Sequence, residues 1–479
     1  MNVLRDALFW ALVVCFSYLA LVTALYFLHV LVALVENAVR GREHRAEDYE
    51  TISVSPFTIP VSVIAAVYNE EPIVAAAVRA ALDQDYPELE VIVVNDGSTD
   101  RSLERLIEAF DLEPREVFYR RALGTKTVRA IYKSAREPRL VVVDKENGGK
   151  ADALNCGINL ARYRYVCGVD ADTVLAEDAL LRGMRLVLRD PANVLAVTSH
   201  VSITFEPERG ESGARGTKAV DRRLLSNFQH LDYVRAFYNN RLAWTRLGFM
   251  LCTVGAFHIW RRDLLEEMGG FSTEFTCEDI ELTFRVHERY RREKRPYTIL
   301  CLPDHVGATE GPRRVRSLIS QRARWQRVIM ETVWHYRGML GNPRYGTVGL
   351  LGTPFYLLSE VLAPVFEVLS LVMLPLAVVA GAFEVVHLLL FLGVIAFANG
   401  LLTTAALLLD DRSARGYHGR SYRKRDLARL IMLGPADLFL YRPILMWARL
   451  EGTWQFLRRE RDWHKFERNA RRLPAPSAS

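Results

Sequence analysis

The stretch Tyr165-Val166-Cys167-Gly168-Val169-Asp170-Ala171-Asp172-Thr173 decides how the chain is read. It opens as a short apolar run and ends in two carboxylates one residue apart. An apolar run of that length suits a strand buried on both faces. Residues two apart in an extended chain project the same way, so Asp170 and Asp172 can aim at one point. Two unpaired carboxylates held close repel and raise one pKa, and a divalent cation removes that penalty. All-oxygen ligands suit Mg2+ or Mn2+, which also take phosphate oxygens. The plain alternative is that the pair caps a helix or closes a turn.

Outward from that stretch, apolar runs rich in β-branched residues alternate with helical composition. Residues 61–67, 91–94, 140–143 and 194–199 read as further strands. Helices are expected over 71–84, 102–110, from Gly148-Gly149 to Ala161, and over 178–188. This alternation predicts an α/β fold with a mostly parallel sheet covered on both faces. Ligands of such sheets bind outside the carboxyl ends of the strands. The polar residues there are Tyr68-Asn69-Glu70, Asp96, Asp170 and Asp172.

The flanks have another character. No Asp, Glu, Lys or Arg occurs from Ala7 to Val35, enough for a retained membrane anchor. A cleavable signal would have a shorter apolar core and small residues at a cleavage site. From Gly346 to Leu409 only Glu360, Glu367 and Glu384 are charged, a length for two crossings broken near Ala380-Gly381-Ala382. Basic residues on both sides of these blocks place the intervening domain in the cytoplasm. Residues 427–447 are apolar but hold Asp437, Arg442 and two prolines, and read as an interfacial or re-entrant segment. Trp447, Leu450, Trp454 and Leu457 share one helical face beyond it. The tail behind carries Arg461, Lys465 and Arg468 and is expected to be disordered from Pro474. Domain bounds follow: an N-terminal span at 1–36, the α/β domain at 37–310, an interfacial helix at 311–345, a helical hairpin at 346–410, and a basic segment and tail at 411–479.

The net charge of +6 therefore reflects membrane topology, and no basic aromatic stripe argues for nucleic acid. Six scattered cysteines without a CxxC exclude a zinc motif or disulfide framework. Leu224, Phe228, Leu231 and Tyr238 form a stripe that suits either an interface or an ordinary core helix.

Six short motifs occur in order: YNE (68–70), NDGSTD (95–100), GGKADALN (148–155), DAD (170–172), CED (277–279) and QRARW (321–325). Together, bracketed by apolar helices, they resemble the family 2 glycosyltransferases of the membrane-integrated polysaccharide synthase type: cellulose, hyaluronan, chitin and poly-N-acetylglucosamine synthases. The resemblance implies a GT-A-type (Rossmann-like) domain inserted between transmembrane helices and a nucleotide-sugar donor, usually UDP-linked. It implies that Tyr68, Glu70 and Asp96 line the uridine pocket, that Lys150 meets the donor diphosphate, and that Asp172 is the metal ligand with Asp170 on the nucleotide side and near the ion. It makes Asp279 the general base, with Glu278 as the other candidate; Cys277 stands where the family has Thr. QRARW matches the family's Q-x-x-R-W, which implies Gln321 beside the substrate, Arg324 on the diphosphate and Trp325 at the acceptor site. Val328 stands where many relatives have Gly.

The chemistry this implies is a metal-dependent, inverting transfer of a sugar from a UDP-sugar to a growing polysaccharide, with N-acetylglucosamine the first expectation and the product moved across the cytoplasmic (inner) membrane. Glu360 and Glu367, seven apart, either line an acceptor passage or hold helices together. Few spans leave room for a second copy or for accessory export subunits. The alternatives are a non-processive enzyme that adds one sugar to a membrane lipid, and a non-catalytic receptor or scaffold on the same fold.

Overall fold

A computed structural model describes residues 2–204, 217–218, 220–382, 384–418 and 421–459. The basic tail from Glu460 onward, with its expected disorder, lies outside the described residues. The chain divides into two compact units. One comprises residues 46–214 and 252–310; the other comprises 1–45, 215–251 and 311–461.

The strands in chain order are β1 (Val61–Val67), β2 (Leu89–Asn95), β3 (Leu112–Pro114), β4 (Val128–Ser134), β5 (Leu140–Lys145), β6 (Tyr165–Asp170), β7 (Val174–Leu175), β8 (Val194–Thr204), β9 (Thr217–Lys218), β10 (Phe257–Arg261), β11 (Thr298–Glu310) and β12 (Ser421–Tyr422). Ten of them form the sheet of the first unit, in the order β3-β4-β5-β2-β1-β6-β10-β8-β11-β7. Its centre, β5-β2-β1-β6, is parallel, as the continuous apolar runs predict. Every residue of β2 is buried. The sheet is nevertheless mixed: β4 runs antiparallel to β5, and β10 runs antiparallel to both β6 and β8. β4, next to the short edge strand β3, is only partly buried and has no apolar run, which is why its sequence does not announce it.

The register brings the strand ends level. Val67 pairs with Asn95, Ala66 with Asp170, and Asn95 with Asp144. Tyr68, Asp96, Lys145 and Asp170 therefore leave one edge of the sheet together. Because β10 is reversed, its entry turn at Val254–Gly255 arrives at that same edge, beside the end of β6. β11 is long enough for Ala308 to pair with Val174 of β7, just past Asp172.

The second unit is helical. Its first helix, Asn2–Ala46, does not stop near Glu36. Nothing there breaks it, and Arg40 bridges Glu36 at 2.7 Å and Glu43 at 2.9 Å. Among the described residues, three helices are long and apolar enough to cross a membrane: Arg5–Ala46, Val348–Val379 and Val385–Gly416. Lys424–Leu440 and Arg442–Leu457 are bent by 50° to each other, the geometry of a broken span or a re-entrant loop. Trp447, Trp454 and Leu457 are exposed on the latter helix.

Residues 215–251, read from the sequence as part of the α/β domain, belong to the helical unit. Phe228, Leu231 and Tyr238 are buried there and only Leu224 is exposed, so the stripe is core. Asn239 donates to the Leu402 carbonyl at 3.2 Å, and Arg235 pairs with Asp437 at 3.1 Å. The in-span carboxylates are paired too: Glu367 with Arg442 at 2.8 Å, and Glu360 with Arg449.

Candidate active site

The first two motifs are stapled to each other. Asn69 takes a left-handed conformation at φ 53° after β1. Its Oδ1 accepts from the Thr99 backbone at 2.7 Å, and its own N–H donates to Ser98 Oγ at 3.0 Å. Glu70 is buried, with its backbone N–H on Ser102 Oγ at 2.8 Å, and Tyr68 is half-buried beside them. Asp96 is turned inward rather than toward an open pocket. Its carboxylate accepts from Lys145 Nζ at 2.5 Å and from the backbone N–H groups of Gly148 and Gly149 at 3.0 and 2.8 Å.

The remaining acids meet at Lys150, the first residue of the helix Lys150–Leu160. Lys150 Nζ lies 2.7 Å from Asp170 Oδ1, 2.7 Å from Glu278 Oε1 and 3.4 Å from the Gly255 carbonyl. A Cβ on Gly255 would stand 2.9 Å from that Nζ and 3.2 Å from Asp279 Oδ2, so glycine lets the β10 turn approach both. Glu278 and Asp279 open the helix Glu278–Arg292, where carboxylates are favoured by the dipole. Three motifs more than a hundred residues apart at the extremes thus share one cluster.

Its electrostatics separate the two neighbouring acids. Burial raises the Asp279 pKa, the Glu278 charge adds to this, and Lys150 only partly opposes it, leaving the group at about 6. Burial acts on Glu278 in the same sense, but the Lys150 charge and hydrogen bond outweigh it and hold Glu278 below the usual range. Burial works against the Lys150 ammonium, yet Asp170, Glu278 and Asp279 hold it well above the ordinary lysine value. His258 of β10 forms the floor, its Nδ1 donating to the Val254 carbonyl at 3.2 Å. Burial and the Lys150 charge lower its pKa to about 4, so the ring is neutral. A Cβ on Gly168 would strike its Nε2 at 2.2 Å, which explains the glycine inside β6.

Asp172 departs from the extended-chain expectation. β6 ends at Asp170, and the Thr173 N–H closes a turn onto the Asp170 carbonyl at 2.9 Å. Asp172 therefore lies in the turn, buried, accepting from Thr309 Oγ1 of β11 at 3.2 Å, while Asp170 faces Lys150. Two carboxylates on one turn, next to a cluster richer in acid than in base, remain an all-oxygen donor set that fits Mg2+ or Mn2+.

Gln321, Arg324 and Trp325 lie on the helix Val315–His335 of the helical unit. Arg322, not singled out by the sequence, stacks on Trp325 with its guanidinium carbon 4.1 Å from the ring centre and pairs with Asp232 at 2.8 Å. Val328 is fully buried in the core of its unit, a place for an aliphatic side chain. None of the six cysteines forms a disulfide.

Parts of the chain are similar to known proteins. Residues 62–268 match the model for glycosyl transferase family 2. A poly-beta-1,6-N-acetyl-D-glucosamine synthase of Staphylococcus epidermidis is 26% identical over 282 residues, covering 57% of this chain and 56% of that protein. The enzyme of the same name from Staphylococcus aureus (strain COL) is 26% identical over 269 residues, covering 55% and 53%. The chain thus spans little more than half the length of the curated relatives it matches. Among solved structures, a mannosyltransferase from Pyrobaculum calidifontis in complex with GDP-Man and Mn2+ aligns with a TM-score of 0.49 and 19% identity, over 93% of this chain and 100% of that one. TarS 1-349 of S. aureus in complex with UDP-GlcNAc aligns with a TM-score of 0.37 and 14% identity, over 85% and 94%. Residues 62–268, which hold the parallel centre of the sheet and the acids Asp96, Asp170 and Asp172 at its edge, thus carry a domain similar to glycosyl transferase family 2.

Proposed function

We propose that the protein transfers a sugar from a UDP-sugar to a hydroxyl of a growing polysaccharide at the cytoplasmic face of a membrane, with inversion at the anomeric carbon. The observation that carries this reading is the convergence of Lys150, Asp170, Glu278 and Asp279 at the carboxyl edge of the sheet. Asp279 is the general base: a carboxylate poised near pH 6 takes a hydroxyl proton far better than an ordinary aspartate. Glu278, held ionised against Lys150, positions that ammonium rather than accepting the proton. Lys150 exchanges a carboxylate partner for a diphosphate oxygen when the donor binds, and neutralises charge on the departing nucleotide. Asp172 and Asp170 would hold Mg2+ or Mn2+, an ion that supplies further charge neutralisation to the diphosphate.

By resemblance, Tyr68 and Glu70 face the uridine, Gln321 and Arg324 the donor, and Trp325 the acceptor sugar. N-acetylglucosamine is the first candidate, since the two synthases compared above bear that sugar in their names. The experiment is incubation of the purified protein with a panel of labelled UDP-sugars, Mg2+ or Mn2+, and size analysis of the products. A polymer from one sugar supports the reading, and no turnover of any donor overturns it.

A second reading, addition of a single sugar to a membrane lipid, is favoured by one observation. Glu360 and Glu367, the acids that could line a passage, are each held by an arginine of the helix Arg442–Leu457. A single labelled lipid product in the same assay would select it.

A further inference from the structure

We propose that Lys145 is a positioning residue for the donor site: its ammonium, clamped between Asp96 and Asp152, fixes the turn that presents Lys150. The proposal rests on the reading of this site as a nucleotide-sugar transferase. No motif in the sequence marks Lys145. It is the last residue of β5, and its side chain is 0% exposed. Its Nζ lies 2.5 Å from Asp96 Oδ1 and 2.6 Å from Asp152 Oδ1, and donates to the Glu146 carbonyl at 2.6 Å. Three N–H donors thereby meet three acceptors, the complete set for an ammonium.

Those acceptors belong to different elements. Asp96 follows β2, and Asp152 sits in the first turn of the helix Lys150–Leu160. One buried cation therefore ties β2, β5 and that helix together. The turn between them is bonded almost residue by residue to Asp96: Asn147 Nδ2 donates to its carbonyl at 2.8 Å, and the Gly148 and Gly149 N–H groups donate to its carboxylate. The turn also has little slack. A Cβ on Gly148 would stand 2.6 Å from the Asp152 carboxylate, and Gly149 takes φ 86°. Lys150 is the next residue, so any opening of the turn moves its ammonium away from Asp170 and Glu278.

Without the ammonium, two carboxylates would face each other in a buried slot. An uncompensated buried charge is strongly unfavourable, and the nearest relief is for the turn to open. Lys145 thus acts through Lys150. Its loss should weaken donor capture while leaving Asp279 in place.

The test uses the full-length protein in detergent, with labelled UDP-N-acetylglucosamine as donor and UDP as a binding probe. Lys145→Met is expected to raise the donor KM about tenfold or more, to weaken UDP binding in step, and to lower kcat as well because Lys150 also neutralises the departing nucleotide, with the pH dependence set by Asp279 unchanged. An unchanged donor KM, or a fall in kcat alone, overturns the proposal. Should Lys145→Met fail to fold, Lys145→Gln/Asp152→Asn removes one cation and one anion, so the net charge of the slot is kept while the three-donor clamp is weakened. Its expected donor KM is raised about threefold or more, and a wild-type value overturns the proposal. If the wild type binds UDP but turns over no sugar donor, the functional reading fails, while the UDP affinities of the variants still decide the role of Lys145. If it does not bind UDP at all, both fall.

Discussion

Glu278 and Asp279 are adjacent in the chain and shifted in opposite directions, because Lys150 Nζ lies 2.7 Å from Glu278 while burial governs Asp279. Asp279→Asn should cut kcat by about a thousandfold while leaving UDP affinity within about twofold, read by kinetics and UDP titration. In the proposed role as base, Asp279 would work as the carboxylate. Below its pKa it is protonated and inactive, so kcat/KM should climb with pH and level off above about 6. A pH profile flat from 5 to 8 would remove Asp279 from that role. Chelation with EDTA should abolish turnover and Mn2+ or Mg2+ restore it, and Asp172→Ala should blunt that recovery. At this scale the acids themselves were legible, because short motifs carry them. The conformation of Asp172 was not, since the bond from Thr173 to Asp170 replaces strand by turn without a sequence signal. Lys145 escaped for a related reason: its meaning comes from two aspartates, one 49 residues before it and one in the next helix.

At the scale of elements, continuous apolar runs revealed the parallel centre of the sheet. They could not reveal that Phe257–Arg261 enters reversed, although that reversal delivers Gly255 to Lys150 and Asp279. The apolar content of residues 224–247 was visible, but strand–helix alternation around it suggested the wrong neighbour. Helix packing offers a direct test. A Cβ on Gly452 would meet the Ala323 carbonyl at 2.2 Å, so Arg442–Leu457 lies backbone-close against the helix that carries QRARW. Gly452→Leu should force these helices apart and cost about 1–3 kcal/mol, seen as a lower Tm by intrinsic fluorescence. It should also reduce transfer if Trp325 binds the acceptor.

Across the whole molecule, the three apolar helices should keep the protein in the membrane pellet after carbonate extraction. Arg442→Ala strands the half-buried Glu367 and should lower Tm, and adding Glu367→Gln should recover part of the loss. The number of spans was legible as far as apolar length goes, and the prolines and charges of 427–447 already suggested a re-entrant segment there; what was not legible was which residues match those charges, since they meet only in three dimensions.

The sheet unit is discontinuous in the chain: it is left after β8 and rejoined at Cys252, with 215–251 lent to the helices. An excised piece from Ala46 to Glu310 would thus carry Phe228, Leu231, Phe237 and Trp244 into water with nothing to cover them. Such a piece should aggregate on gel filtration. Splicing a flexible linker in place of that excursion should give a sheet unit that can be handled without detergent and titrated with UDP.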